Sequence, residues 1–186
     1  VRPSPGTITK TICVTLLSVD PGTRSLGWAV FKDGKCVDNG VFHPGDWNAP
    51  SECLIRIVRF IAGKEREIGG IDYIACESMF VDARRGGNSA RVLNCIPDEI
   101  EAWCEGKDIS FRKYANSTVK RIATNNGNAK KPQVYAAMEK YLSPAARELT
   151  KSEREDVTDA IAIGWTCIVS KLGAAEPAPK KSRKKG

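Results

Sequence analysis

Histidine occurs once, at position 43, and no apolar run in the 186 residues approaches the length needed to cross a bilayer. The opening V-R-P-S-P-G-T-I-T-K lacks the apolar centre of a secretory signal. Those two absences leave the cytoplasm or an organelle interior as the expected location, with no membrane partner. Seven cysteines, at 13, 36, 53, 76, 95, 104 and 167, are scattered and never spaced C-x-x-C. That excludes a disulfide framework and a structural zinc site, so the thiols read as reduced packing residues. Soft metal ligands are therefore scarce, and His43, beside Pro44 at a strand end, reads as structural.

What is present is one domain's worth of chain, 41% hydrophobic and 27% charged, enough to bury a real core. Net charge is +7, and the closing P-A-P-K-K-S-R-K-K-G carries five positive charges and no negative ones. Without that tail the body is left at +2, only mildly basic. The tail has the composition of a disordered cationic arm. Such an arm gains affinity for polyanions by counterion release, and equally well serves to solubilise or localise the chain. The expected organisation is a flexible segment over 1–10, a folded domain over 11–173 and a disordered basic tail over 174–186.

Residues 12–19 (I-C-V-T-L-L-S-V) form a nearly continuous, β-branched apolar run, the pattern of a central strand covered on both faces. Asp20-Pro21-Gly22 breaks it. Residues 26–32 and 35–43 predict two further strands joined by an Asp33-Gly34 hairpin turn. Leu54, Ile57, Val58, Ile61 and Ile68 share one face of a helix over 51–68, with Ser51 a candidate N-cap. Strands follow at 71–77 and 109–115. Helical patterns cover 89–105, which Pro97 should kink or split, then about 131–142 and about 154–172. The order β-β-β-α-β-α-β-α-α implies an α/β fold, a mixed five-stranded sheet flanked by helices.

Four acids stand out against this frame. Asp20 ends the first strand, where it reads as a turn residue when taken alone. Glu77 ends the strand over 71–77, and burying it unpaired would be costly, so ion pair and ligand are equal readings. Asp156 and Asp159 lie three residues apart on the last helix, hence on one face. The helix dipole accounts for acids in its first turn, but Asp159 lies with the apolar run Ala160, Ile161, Ile163. Two strand-end acids and a helix-borne D-x-x-D suggest one acidic pocket, whose hard oxygen ligands suit Mg²⁺ or Mn²⁺. Without a cation the four would repel one another.

S-V-D-P-G-T-R-S-L-G-W-A-V resembles the opening strand and hairpin of the RuvC family of Holliday-junction resolvases, members of the RNase H-like fold. I-A-C-E-S-M-F-V resembles that family's second acidic strand, D-V-T-D-A-I-A-I-G its final helix, and S-T-V-K-R with G-N-A-K-K-P-Q-V its basic segments. The resemblance runs from about 12 to 172 with all motifs in order. It implies that Asp20, Glu77, Asp156 and Asp159 are catalytic acids holding two Mg²⁺ ions, with Mn²⁺ able to substitute and no small-molecule cofactor besides. It also implies that Lys120 and Lys131 are catalytic contacts to the phosphate, with Lys130 a rival for the second. Phe80 is either a junction-contacting aromatic or plain core. Arg84, Arg85 and Arg91 flank it as candidate DNA-backbone contacts, which position DNA without reading sequence.

The function so implied is a homodimeric endonuclease of a bacterial or phage-infected cell that nicks four-way junctions symmetrically. Alternatives within the fold are a relaxed branched-DNA nuclease of phage type and a nuclease of ribosomal-RNA precursors, which opens with a similar D-x-G-T hairpin. An ATPase of the sugar-kinase kind would need a second lobe. A DNA-binding scaffold would gain nothing by setting four acids against phosphates.

Overall fold

The computed structural model describes residues 14–22, 24–45, 49–78 and 88–172, with the side chains of 88–94 and of 171–172 excepted. Strands β1 (Thr15–Pro21), β2 (Leu26–Lys32), β3 (Lys35–Phe42), β4 (Tyr73–Ser78) and β5 (Ser110–Ala115) form one sheet in the order β3-β2-β1-β4-β5. β1, β2 and β3 are an antiparallel meander; β4 pairs parallel with both β1 and β5. The mixed five-stranded sheet expected from the sequence is thus observed. The pairing of Asp20 with Gly27 and Pro21 with Leu26 carries β1 two residues past its expected end.

Strand alternation sorts the core into two layers. Leu16, Ala29, Phe31 and Ala75 face Val157, Ile161 and Ile163 of helix α6 (Lys151–Leu172), with α3 (Asn116–Thr124) and α4 (Lys131–Met138) beside it. Leu17, Val19, Val30, Ile74 and Cys76 face the opposite layer. There they meet Ile57 and Ile61 of α1 (Pro50–Ile68) and Ile96 and Ile100 of α2 (Asn88–Glu105). A strand flanked by helices on both faces favours apolar residues along its length, and Leu16, Leu17 and Val19 of β1 are buried. Among the described residues, no helix is long and apolar enough to cross a membrane.

Several local expectations are corrected. α1 begins at Pro50 with Ala49 as N-cap and no side-chain cap, so Ser51 lies inside the helix. Proline's fixed φ and missing N–H make it a natural first helical residue, which displaces the cap upstream. α2 runs as one element through Pro97, because Ile96, Ile100 and Cys104 hold it against the sheet. The helix expected over 131–142 ends at Met138 and passes into a 3₁₀ turn, Glu139–Tyr141, followed by the short α5 (Pro144–Arg147). Helix α3 has no counterpart in the sequence expectation. Cys53, Cys76, Cys104 and Cys167 are buried as expected, whereas Cys36 is half-buried and Cys95 exposed; none of these six forms a disulfide.

Small residues let α6 lie unusually close to the sheet. An added Cβ on Gly27 would fall on the backbone carbonyl of Asp156, and one on Gly164 would fall on the Phe31 ring. Ser18, fully buried in β1, donates from Oγ to the Ala160 carbonyl at 2.8 Å, tying strand to helix. His43, at the end of β3, lies with Nε2 3.0 Å from Glu153 Oε1 and Nδ1 3.3 Å from the Arg24 carbonyl.

Candidate active site

Asp20 falls two residues after Ser18, so its side chain leaves β1 on the face that α6 covers. In the parallel register Ser18 is level with Ala75, and two residues further bring Asp20 level with Glu77. Both acids therefore emerge from the carboxyl ends of adjacent parallel strands, on one face. Close seating of α6 on Gly27 then brings Asp156 and Asp159 across from them. Fold and sequence together deliver the expected grouping of four carboxylates.

Their mutual influence is strong. Burial raises the Asp20 pKa well above the usual carboxylate value, and the charges of Asp159, Glu77 and Asp156 raise it further against the opposing pull of Lys131. Burial pushes Asp159 up to about 6, opposed by Lys131 and reinforced by Glu77 and Asp156. Glu77 is raised by burial, although a hydrogen bond from Asn116 and the charges of Lys120 and Lys131 hold it back. The cluster holds more negative charge than the protein alone stabilises.

Two partners that the sequence did not mark hydrogen-bond to the acids. Ser25 Oγ donates to Asp156 Oδ2, and Asn116 Nδ2 donates to Glu77 Oε1 at 2.6 Å. Among the described residues, no three acids close into a ready-made cation cage. Asn116 opens α3, so recognising that helix from N-S-T-V-K-R would have brought it into view. Ser25 sits in the tight turn where the Gly22 N–H donates to the Ser25 carbonyl at 2.9 Å, and no sequence pattern distinguishes it.

The lysines resolve in part. Lys131 Nζ stands 3.7 Å from Asp159 Oδ2. Burial works to lower its pKa, but the fields of Asp159, Asp20, Asp156 and Glu155 outweigh it and the pKa rises. Lys120 lines a small cleft, about 60 Å³, together with Glu77, Asn116, Lys131 and Asp159. Lys130 is exposed at the N-cap of α4, where its backbone N–H donates to Gln133 Oε1 at 2.8 Å. Geometry thus brings Lys131 rather than Lys130 to the acids. Phe80, Arg84 and Arg85 lie outside the described residues, as does the side chain of Arg91.

Comparison with known proteins agrees with this geometry. The profile of the family described as "Crossover junction endodeoxyribonuclease RuvC" matches residues 16–167. The crossover junction endodeoxyribonuclease RuvC of Rickettsia bellii is 38% identical over 164 residues, covering 84% of this chain and 98% of the relative. That of Ehrlichia canis is 26% identical over 161 residues, covering 85% and 98%. The structure of Thermus thermophilus RuvC in complex with Holliday junction substrate superposes with a TM-score of 0.64 at 18% identity, covering 88% of this chain and 99% of that one. That likeness bears on the fold, which is the RuvC, RNase H-like one. On a profile match from β1 nearly to the end of α6, the chain belongs to the RuvC family of crossover junction endodeoxyribonucleases.

Proposed function

We propose that the chain resolves four-way DNA junctions, cutting phosphodiester bonds at the cleft of Asp20, Glu77, Asp156 and Asp159. The observation that carries this reading is the electrostatic state of the cleft. Desolvation and mutual repulsion raise carboxylate pKa values there, a cost that a bound cation would offset. The donor set is all oxygen, the choice of Mg²⁺ or Mn²⁺ over softer metals. Two such ions, held by Asp20, Glu77, Asp156 and Asp159, would supply an activated water and stabilisation of the leaving oxygen.

The chain's own residues do the rest. Asp20, on a rigid central strand, sets one fixed point; Glu77 sets a second on the neighbouring strand; Asp156 and Asp159 close the site from the helix. Ser25 and Asn116 orient Asp156 and Glu77 by hydrogen bonds that the carboxylates accept. Lys131 and Lys120 present positive charge to the phosphate being cut and position it. Hydrolysis with inversion at phosphorus would leave a 5′-phosphate and a 3′-hydroxyl. A homodimer with two-fold symmetry would set two such sites on opposed strands of the junction.

A cleavage comparison on an immobile four-way junction, a flap, a duplex and an RNA precursor tests substrate choice. Cutting confined to the junction is the expected result. Equal cutting of every branched DNA would demote the enzyme to a relaxed branched-DNA nuclease, and cutting of RNA alone would overturn the reading.

Acidity should also shape the activity. Carboxylates bind cations in their deprotonated form, so protonation competes with metal. At limiting Mn²⁺ the cutting rate should rise with pH through about 6, the Asp159 value, and saturating Mn²⁺ should displace that limb to lower pH. A rate at limiting Mn²⁺ that is flat from about pH 5 to 8 would contradict the assignment of Asp159.

A further inference from the structure

α4 and α6 share a seam that begins at the acidic cleft, where Lys131 meets Asp159. One turn along α4 from Lys131 comes Tyr135, and the chain continues to Lys140, on the order of 13 Å from Lys131 along the helical path. One turn back along α6 from Asp159 comes Glu155, whose field Lys131 feels, and next to it Arg154. Between these ends opens a second cleft of about 450 Å³, lined by Tyr135, Glu139, Lys140, Leu142, Arg147 and Arg154. Its charge is opposite to that of the first: two arginines and a lysine face a single carboxylate.

The two guanidinium groups are tethered to backbone carbonyls. Arg154 Nη1 donates to the carbonyls of Leu149 at 2.7 Å and Arg147 at 3.2 Å, while its Nε is buried without any hydrogen-bond partner. Arg147 Nε donates to the Leu142 carbonyl at 3.3 Å, and Lys140 Nζ lies 4.9 Å from the centre of the Tyr141 ring. Among the described residues, none of the three cations is in a salt bridge. Guanidinium groups fixed by backbone carbonyls and left without a counter-ion form a prepared anion site, and guanidinium geometry suits phosphate oxygens.

We propose that this cleft is a second phosphate subsite, which holds the DNA backbone a few nucleotides from the phosphate cut at Asp20. The proposal rests on the nuclease function above and adds the path of the strand: from the acidic cleft along the α4–α6 seam. Its contacts are to phosphate, so they contribute affinity and register without base preference.

The test is equilibrium binding to an immobile four-way junction as salt is raised, with every protein carrying Asp20→Asn so that no strand is cut. Lys140→Gln with Arg147→Gln removes two cations from the cleft. Arg59→Gln with Arg66→Gln removes the same charge from exposed positions on α1, which packs on the opposite face of the sheet. Loss of two phosphate contacts should flatten the slope of log affinity against log salt by about 1.8 and weaken low-salt binding on the order of tenfold. Lys140→Gln alone, which leaves the Arg147–Leu142 bond intact, should flatten it by about 0.9. A cleft pair that behaves like the control pair would overturn the subsite while leaving the nuclease reading standing. A parent protein that binds no DNA would overturn both.

Discussion

Asp20→Asn is expected to lower junction cutting on the order of 10³-fold or more while junction affinity stays equal or rises. Asparagine keeps the shape and one acceptor oxygen but removes the charge that a cation requires. Affinity holds because the substitution also removes negative charge from a surface that must meet phosphates. A second effect has the opposite sign. The folded-state pKa of Asp20 is raised, so its contribution to stability is full below the unfolded value near 3.8 and is lost as pH rises through the folded value. At neutral pH, in EDTA, the ionised group therefore destabilises the fold, and Asp20→Asn should melt higher than the parent protein. That advantage should shrink as pH falls toward about 4. Added Mg²⁺ should raise the melting temperature of the parent more than that of the variant, since the cation binds the folded state. Calorimetry in EDTA and in Mg²⁺ reads all of this without any cutting. A variant that melts lower than the parent in EDTA at neutral pH would refute the strained-cluster account.

Gly27→Ala is expected to be the most damaging single methyl in the fold. The added Cβ would lie on the Asp156 carbonyl and 3.0 Å from the Val157 nitrogen, both backbone atoms that cannot rotate away. Either β2 or the first half of α6 must move, at a cost of about 3 kcal/mol or more. For a chain of this size that is a drop in melting temperature of roughly 6–12 °C. Activity should fall further than stability explains, because Asp156 and Asp159 ride on the displaced segment. A misplacement of about 1 Å can cost on the order of 10²-fold in rate. Thermal melts paired with cutting rates below the transition make the check. Wild-type values for both would mean that α6 is not seated on β2 as described.

The glycine also shows how far the sequence could be read. Gly27 was visible only as part of the opening hairpin motif; that it is the contact point for α6 depends on a pairing across 129 residues of chain. The central strands were legible because burial on both faces leaves a nearly continuous apolar run, as over residues 12–19. The four acids were legible because charge at the end of such a run is conspicuous. Their grouping into one pocket was expected from that pattern, but the level register of Ser18 with Ala75 that produces it was not readable from the sequence. The start of α6 was misread at 154 although T-x-x-E stood at Thr150–Glu153. There the Thr150 N–H donates to Glu153 Oε2 at 2.9 Å and the Glu153 N–H to Thr150 Oγ1 at 3.4 Å, a reciprocal cap. Helix α3 was missed because N-S-T-V-K-R mixes poor helix formers, and its burial of Val119 and Ala123 against α6 supplies what propensity does not. Ser25 carries no sequence signal of its own; its role exists only once the chain has folded around the carboxylates.

The most direct measurement is strand-by-strand mapping of cuts in a four-way junction, each strand labelled in turn, in Mg²⁺ and in EDTA. The acid cluster and the proposed two-fold homodimer predict paired nicks at symmetric positions on opposed strands, each leaving a 5′-phosphate, in Mg²⁺ alone. Binding without cuts in Mg²⁺, or cuts that persist in EDTA, would contradict the assignment of Asp20, Glu77, Asp156 and Asp159 as a cation-dependent cutting centre.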